Sequence, residues 1–312
     1  MPVVNLAHLR RTLAVRGLTP ASVVPEASGG RTEEACIRRA TLAEDAELAW
    51  HAVGPAEPWP GTLAFLDGVQ RSVLLAYAGS APIVMGEVAA AVRERRERRL
   101  VTVVEERGLL VIGRSAALAA AGELPDAFRS VALPEDEPPH PVRDLANAAR
   151  ALDRARGTLE LAIGERYRRR ADGWLVVDGA LTESPIWAAD PRMVAVSKSH
   201  ATLPFDGQDL DRYLRLPQGH RSSVYIPETR SLTPVRQWAV RLWPWEGKDV
   251  FHGLVRVEVA PANGSPDIAD ALSRWLLAER APLSTPDQRW DRLLYGIHSV
   301  QAYLRSGSRA LA

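Results

Sequence analysis

The 312-residue chain has one cysteine, Cys36, and only two lysines, Lys198 and Lys248, among 39 basic residues. A single thiol excludes an internal disulfide and a cysteine-rich zinc site, so a reducing, intracellular setting is expected and Cys36 reads as an ordinary packed side chain. No run of 18 apolar residues occurs, and Met1–Asn5 shows no charged segment leading into an apolar one; the expectation is a soluble cytoplasmic protein with no membrane segment. Net charge is small as well, at +1, so the whole-molecule field gives no push toward nucleic acid and any anion-binding surface must be local. A Walker loop, a Gly-x-Gly-x-x-Gly turn, a His-Glu-x-x-His pair and a Gly-x-Ser-x-Gly elbow are all missing. P-loop nucleotide hydrolysis, dinucleotide redox chemistry and serine hydrolysis lose ground accordingly. At 46% apolar the chain can bury a full core, and its length allows one large or two ordinary domains.

Two apolar runs end alike. Leu63-Ala64-Phe65-Leu66 meets Asp67-Gly68, and Trp174-Leu175-Val176-Val177 meets Asp178-Gly179. Runs of this kind predict buried strands, and an acid at a strand's carboxyl end sits where α/β sheets place ligands. Two carboxylates meeting at one sheet edge is a way to hold divalent metal for phosphoryl chemistry. The competing interpretation makes each Asp-Gly a turn that closes its strand.

Residues 1–56 form an N-terminal arm with helical spacing at Leu6, Leu9, Leu13 and Val15 and a further helix expected over Glu33–Ala49. From residue 57 to 312 a single catalytic domain is expected. Strands are predicted over Leu63–Leu66, Ser72–Ala78 and Ile83–Ala89, separated by Asp67-Gly68 and Gly79–Pro82, with a hairpin of Val101–Val104 and Leu109–Ile112 turning at Glu105–Gly108. The acidic, proline-rich stretch Pro134–Pro139 reads as a surface loop, and the mixed-sign run Arg93–Arg99 as a solvated turn. The longest helical pattern covers Arg143–Arg169, with Leu145, Ala148, Leu152, Leu159 and Ile163 on one stripe. Strands follow at Trp174–Val177, Met193–Lys198, Val224–Ile226, Trp238–Trp243 and Val250–Val259. Helices are expected near Asp209–Leu214, over Pro266–Glu279 and over Pro286–Arg305, the last opened by the capping signal Ser284–Asp287. Strands first, then helix-strand alternation, give an α/β chain with one mixed sheet flanked by helices and an N-terminal helical extension.

Phosphoryl transfer to water needs two or three carboxylates around divalent metal. The third acid is sought on the long helix, where Glu160, between Leu159 and Leu161, borders the buried stripe; Glu165 opens a charged run and is the alternative. Lysine is a compact point charge that arginine's fork does not replace, and Lys198, at the end of a strand-like run, is the better placed of the two. Lys248 reads as a solvated turn residue. Among seven histidines His298 stands out, because Tyr295–Val300 puts it in the apolar part of a helix, either as a satisfied core side chain or for metal ligation or proton transfer. The nine tryptophans are packing residues by default, with base stacking the sharper use.

An Asp-Gly after an early strand, a glutamate on a long helix, Asp178-Gly179-Ala180-Leu181, then a strand ending Ser197-Lys198, together with Val255–Pro261, resembles the NurA family of nucleases. Trp290 and His298 also have the family's aromatic-to-histidine spacing of eight. The resemblance covers residues 60 to 305. It implies an RNase H-like fold, a homodimer, and a Mn²⁺- or Mg²⁺-dependent 5′→3′ exonuclease and single-strand endonuclease. DNA, as single strands and duplex ends, would be the substrate, and a HerA-like hexameric ATPase the partner in end resection or defence. Asp67, Glu160 (or Glu165), Asp178 and His298 would be metal and catalytic positions, with Lys198 orienting the phosphate or the attacking water. The family's tyrosine is Trp290 here, so its hydroxyl is lost or supplied by Tyr295. A degenerate, non-cleaving adaptor that docks on a hexameric motor is the alternative from another class. An Argonaute-like PIWI module needs a guide-binding domain that 312 residues scarcely hold.

Overall fold

The computed structural model describes residues 6–20, 35–228, 233–246, 248–282 and 290–307. The chain opens with α1 (Leu6–Val15), β1 (Thr19–Pro20), β2 (Cys36–Ile37), β3 (Thr41–Leu42) and β4 (Trp50–Ala52). Three long strands follow, β5 (Leu63–Ala78), β6 (Ala81–Arg96) and β7 (Arg99–Gly113), then α2 (Ser115–Ala121), β8 (Phe128–Ala132) and the long α3 (Pro141–Arg168). Next come β9 (Trp174–Asp178), α4 (Pro185–Ala189), β10 (Met193–Ser197), β11 (Thr202–Leu203), α5 (Gly207–Leu214), β12 (His220–Ser222) and β13 (Tyr225–Ile226). The chain closes with β14 (Arg236–Arg241), β15 (Leu254–Val259), α6 (Pro266–Glu279) and α7 (Tyr295–Ser306).

One 13-stranded sheet carries the fold, with ten strands in the order β3-β13-β14-β15-β10-β9-β5-β6-β7-β8 and three off this path, β1 on β5 and β12 between β14 and β4; β2 and β11 pair separately. Strands β5, β6 and β7 are antiparallel neighbours; β9 runs parallel to β5, β10 parallel to β9, and β15 antiparallel to β10. Alternation sorts side chains to two layers. Leu63, Phe65, Trp174, Val176, Val194 and Val196 pack toward α6 and α7, whereas Ala64, Leu66, Leu175, Val177 and Ala195 pack with Ile163 and Tyr167 of α3. Strand β6 is buried on both faces from Ala81 to Val92, which is why its sequence shows no polar alternation there. Trp59, Trp174 and Trp275 meet at centroid distances of 5.4–5.9 Å inside the α6/α7 layer, so these rings are packing residues.

Several expectations about elements are corrected. Neither Asp67-Gly68 nor Glu105–Gly108 is a turn: β5 and β7 run straight through them, because each lies within an unbroken ladder with β6 (Gly68↔Ala90, Val88↔Gly108). The turn in the arginine-rich run is Glu97-Arg98 alone, both at positive φ (47° and 66°), while Arg93–Arg96 complete β6. The helix expected over Glu33–Ala49 does not form in its described part, residues 35–49. That segment forms β2, β3 and β4, and its acids are taken up by the sheet instead of a helix face: Glu44 pairs with Arg221 of β12 at 2.6 Å. The final helix starts at Tyr295, not Pro286, and the Ser284–Asp287 capping signal lies outside the described residues. The long helix, by contrast, spans nearly the expected range, with His140 as the N-cap accepting from Arg143 N and Pro141 at the first position.

Candidate metal centre

Leu66↔Val177 is the last pair of β5 with β9, so Asp67 and Asp178, one residue further along parallel strands, come side by side on one face. Asp178 in turn pairs with Val196 of β10, and Lys198, two residues on, projects to the same face. Lys198 Nζ is 2.8 Å from Asp178 Oδ2. That is an ion-pair distance, although the approach angle does not make it a hydrogen bond. Strand β15 fixes both strand ends. Glu258 accepts from the backbone N–H of Leu181 (2.6 Å) and Thr182 (2.9 Å), pinning the loop after Asp178, and Arg256 donates to Thr202 O (3.0 Å) beyond β10.

Glu160 arrives from the opposite layer. It is a buried residue of α3, and its carboxyl lies over Gly68: a Cβ there would stand 2.9 Å from Glu160 Cδ and closer still to Oε1. Gly68 is the opening through which an acid of the α3 layer reaches acids of the α7 layer. Arg156, one helical turn before Glu160, pairs with it and also with Asp153 at 2.8 Å. On the far side Gln301 of α7 sits beside Asp67, and Gly296 lets α7 approach the ring of Phe65.

Electrostatics follow from this crowding. Burial first, then the neighbouring Asp178 charge, lift Asp67 to about 7, against the pull of Lys198 and the Gly68 N–H, which donates to Oδ1 at 2.7 Å. Burial likewise lifts Glu160 to about 8; Arg156 opposes this, and the charges of Asp67 and Asp178 add to it. Asp67 Oδ2 is buried with no hydrogen-bond partner, while the Asp178 side chain is 23% exposed and opens the group to solvent. Three carboxylates with an orphaned buried oxygen are a donor set for a hard divalent ion such as Mg²⁺ or Mn²⁺. Arg156 and Lys198 pair with the outer two acids, Glu160 and Asp178.

Other sequence candidates lie elsewhere. Glu165 is half-buried on another face of α3. His298 is half-buried on α7, and the residue of that helix facing Asp67 is Gln301, three positions on. Trp290 and His298 do not share a helix: Trp290 lies in a short 3₁₀ turn, packed against Trp243 (5.9 Å) and His252 (5.7 Å), with Lys248 over its ring at 5.8 Å. Lys248 is thus drawn to an aromatic face and to His252 Nε2 (3.2 Å), not merely solvated. Tyr295 is 54% exposed. Sequence reasoning passed over Gln301 and Arg156; only the latter had a signal, its four-residue spacing from Glu160.

Among the described residues Glu44, Asp45 and His51 form the one group of ligand atoms drawn within 4.8 Å of one another; the oxygens of Asp67, Glu160 and Asp178 are wider apart. The tighter group is already satisfied. Glu44 holds Arg221 and the Val224 N–H, and Asp45 takes the Ser223 hydroxyl (2.5 Å) and His51 (2.8 Å), which ties residues 44–51 to β12.

No protein-family model matches the chain, and no curated protein matches it. Among solved structures it is similar to the NurA nuclease from Sulfolobus solfataricus, with a TM-score of 0.52 at 11% identity, covering 82% of this chain and 81% of that one. No described helix is long and apolar enough to cross a membrane. The mixed sheet with its flanking helices is therefore a fold shared with that nuclease, in keeping with the α/β, mixed-sheet architecture expected from the sequence.

Proposed function

We propose that this protein is a Mn²⁺- or Mg²⁺-dependent deoxyribonuclease of the NurA type, in which Asp67, Glu160 and Asp178 hold the metal. The observation that carries this reading is their convergence: acids from three elements, β5, α3 and β9, come together on the sheet, two of them buried with raised pKa values and one with an orphaned oxygen. A buried carboxyl cluster is costly to charge without a cation, which a metal supplies. The bound ion would act as a Lewis acid on the phosphodiester and acidify a water. Asp67 and Glu160 must give up their protons to bind it. Asp178 faces solvent and the incoming phosphate. Lys198, buried beside it, orients the phosphate or the attacking water. His298 lies one turn from Gln301 on α7 and is assigned to complete the metal shell or to protonate the leaving oxygen. 5′→3′ exonuclease and single-strand endonuclease activity, a homodimer, a HerA-type translocase partner and cytoplasmic action in repair or defence complete the reading.

The competing reading, a non-cleaving adaptor on a hexameric motor, draws on the cations already seated on Glu160 and Asp178. End-labelled single-stranded and duplex DNA, incubated with and without Mn²⁺, separates the two. A nuclease cuts only with metal and loses cutting in Asp178→Ala with its fold retained. Wild-type protein that leaves both substrates intact, or undiminished cleavage by the variant, contradicts the nuclease reading.

A further inference from the structure

Each nitrogen of the Arg156 guanidinium has its own acceptor. Nη1 donates to Glu160 Oε1, Nη2 to Asp153 Oδ1 at 2.8 Å and Nε to Gln70 Oε1 at 3.2 Å. The helix makes this sharing possible: Asp153 lies three residues before Arg156 and Glu160 four after it, so the three side chains of α3 lie on one face. The two carboxylates differ in where they stand. Glu160 is buried against β5, and Oε1, the oxygen that Arg156 holds, is also the Glu160 atom closest to where a Cβ on Gly68 would be. Asp153 is 26% exposed and sits seven residues earlier, about 10.5 Å along the helix axis at ~1.5 Å per residue. One guanidinium is therefore flanked by two negative charges, of which only Glu160 belongs to the acidic cluster.

We infer that Arg156 competes with the metal ion for Glu160 and yields to it by settling on Asp153 and Gln70, so that this tethered cation sets how much divalent ion the centre needs. The inference rests on the metal-dependent reading above. The Glu160 oxygen that faces the strand of Asp67 is the one the guanidinium holds, and a guanidinium and a divalent ion on one carboxylate repel each other at close range. Leaving Glu160 costs Arg156 one contact of three, because Asp153 and Gln70 still hold the other two nitrogens. A monovalent ion brings no more charge than the guanidinium it would displace and gains nothing by the exchange, whereas a doubly charged ion does. Arg156 thus selects for divalent ions. Asp153 is a positioning residue that acts through Arg156 without touching the metal.

The test is a double-mutant cycle on Mn²⁺ affinity, read by calorimetry on the full chain. Asp153→Asn is expected to bind Mn²⁺ on the order of tenfold more weakly, since the displaced guanidinium loses a charge-assisted hydrogen bond. In the Arg156→Gln background the same change should leave the affinity within about twofold. A contribution of Asp153 that bypasses Arg156 would appear equally in both backgrounds. Circular dichroism melting checks that each variant keeps its fold. Equal weakening in both backgrounds, or an Asp153→Asn protein that binds Mn²⁺ as tightly as wild type, overturns the inference. A crystal structure of the Mn²⁺-loaded wild-type protein reads the geometry without any variant: Arg156 on Asp153 and off Glu160 is expected, and Arg156 still on Glu160 Oε1 overturns the inference. If wild-type protein binds Mn²⁺ and cleaves DNA while the cycle shows no coupling, this inference falls and the nuclease reading stands. Wild-type protein that binds no Mn²⁺ overturns both.

Discussion

The two Asp-Gly pairs share a sequence and differ in everything that follows from it. At Asp178-Gly179 the strand ends: Gly179 takes φ 126°, which L side chains rarely adopt, and a Cβ there would meet nothing within 4 Å. At Asp67-Gly68 the strand continues, the glycine is ordinary extended backbone, and a Cβ would strike the Glu160 carboxyl. One glycine is kept for its backbone and the other for the space above it. The difference shows how the acidic cluster is assembled. Asp178 is delivered by a strand end, as α/β sheets commonly deliver ligands, whereas Asp67 is delivered from mid-strand, one residue past the last pair of β5 with β9, and stays buried.

The contrast can be broken by adding a methyl group at each glycine. Gly68→Ala should have the largest effect on cleavage: the Cβ displaces Glu160 from the other two acids, and Mn²⁺-dependent cutting of single-stranded DNA should fall to background while the far-UV spectrum is unchanged. Full activity in this variant would remove Glu160 from the site. Lys198→Met should come next, slowing cleavage by about 10²-fold, as loss of a preorganised charge near the reacting phosphate does. Mn²⁺ affinity should be kept or tightened, since the competing cation on Asp178 is gone; weaker binding would make Lys198 a structural support instead. Gly179→Ala should have the smallest effect on activity. Its cost falls on stability, of order 1–3 kcal/mol for a residue forced into a sparsely populated backbone region, read as a lowered thermal midpoint.

Much of this was legible in the sequence because it rests on patterns that survive tertiary packing. The apolar stripe of α3 placed Glu160 at the edge of the buried face, and the uniform runs of β9 and β10 located Asp178 and Lys198 at their ends. Asp67 was picked out on a mistaken local picture, a strand closed by a turn, since dipeptide preference says nothing about a ladder continuing on the far side. Gln301 was out of reach: which residue of an apolar helix faces a buried acid depends on the rotation of α7, set here by Gly296 against Phe65. The helix expected over Glu33–Ala49 failed because its acids answer to partners far along the chain, Arg221 and Ser223, which no local window contains. Arg256 and Glu258 stand in the sequence only within the family-like stretch Val255–Pro261; their physical role, tying down the chain just beyond β9 and β10, follows from the sheet order.

Proton linkage gives the most direct measurement. With Asp67 near 7 and Glu160 near 8, both above the ordinary carboxyl range, the folded metal-free protein holds protons that the unfolded chain releases. Its stability must therefore decline as pH rises from about 4 to about 8. A divalent ion binds only the ionised acids, so its affinity should increase through the same upper range, with protons expelled on binding below it. Calorimetric titration of Mn²⁺ into the wild-type protein and Asp67→Asn, at pH 7 in two buffers of different ionisation enthalpy, reads affinity and proton release together. The account predicts Mn²⁺ binding with proton release that fades above about pH 9, and both weakened in the variant. Wild-type protein that binds no Mn²⁺, or an Asp67→Asn variant that binds it with unchanged affinity and proton release, would contradict the metal centre.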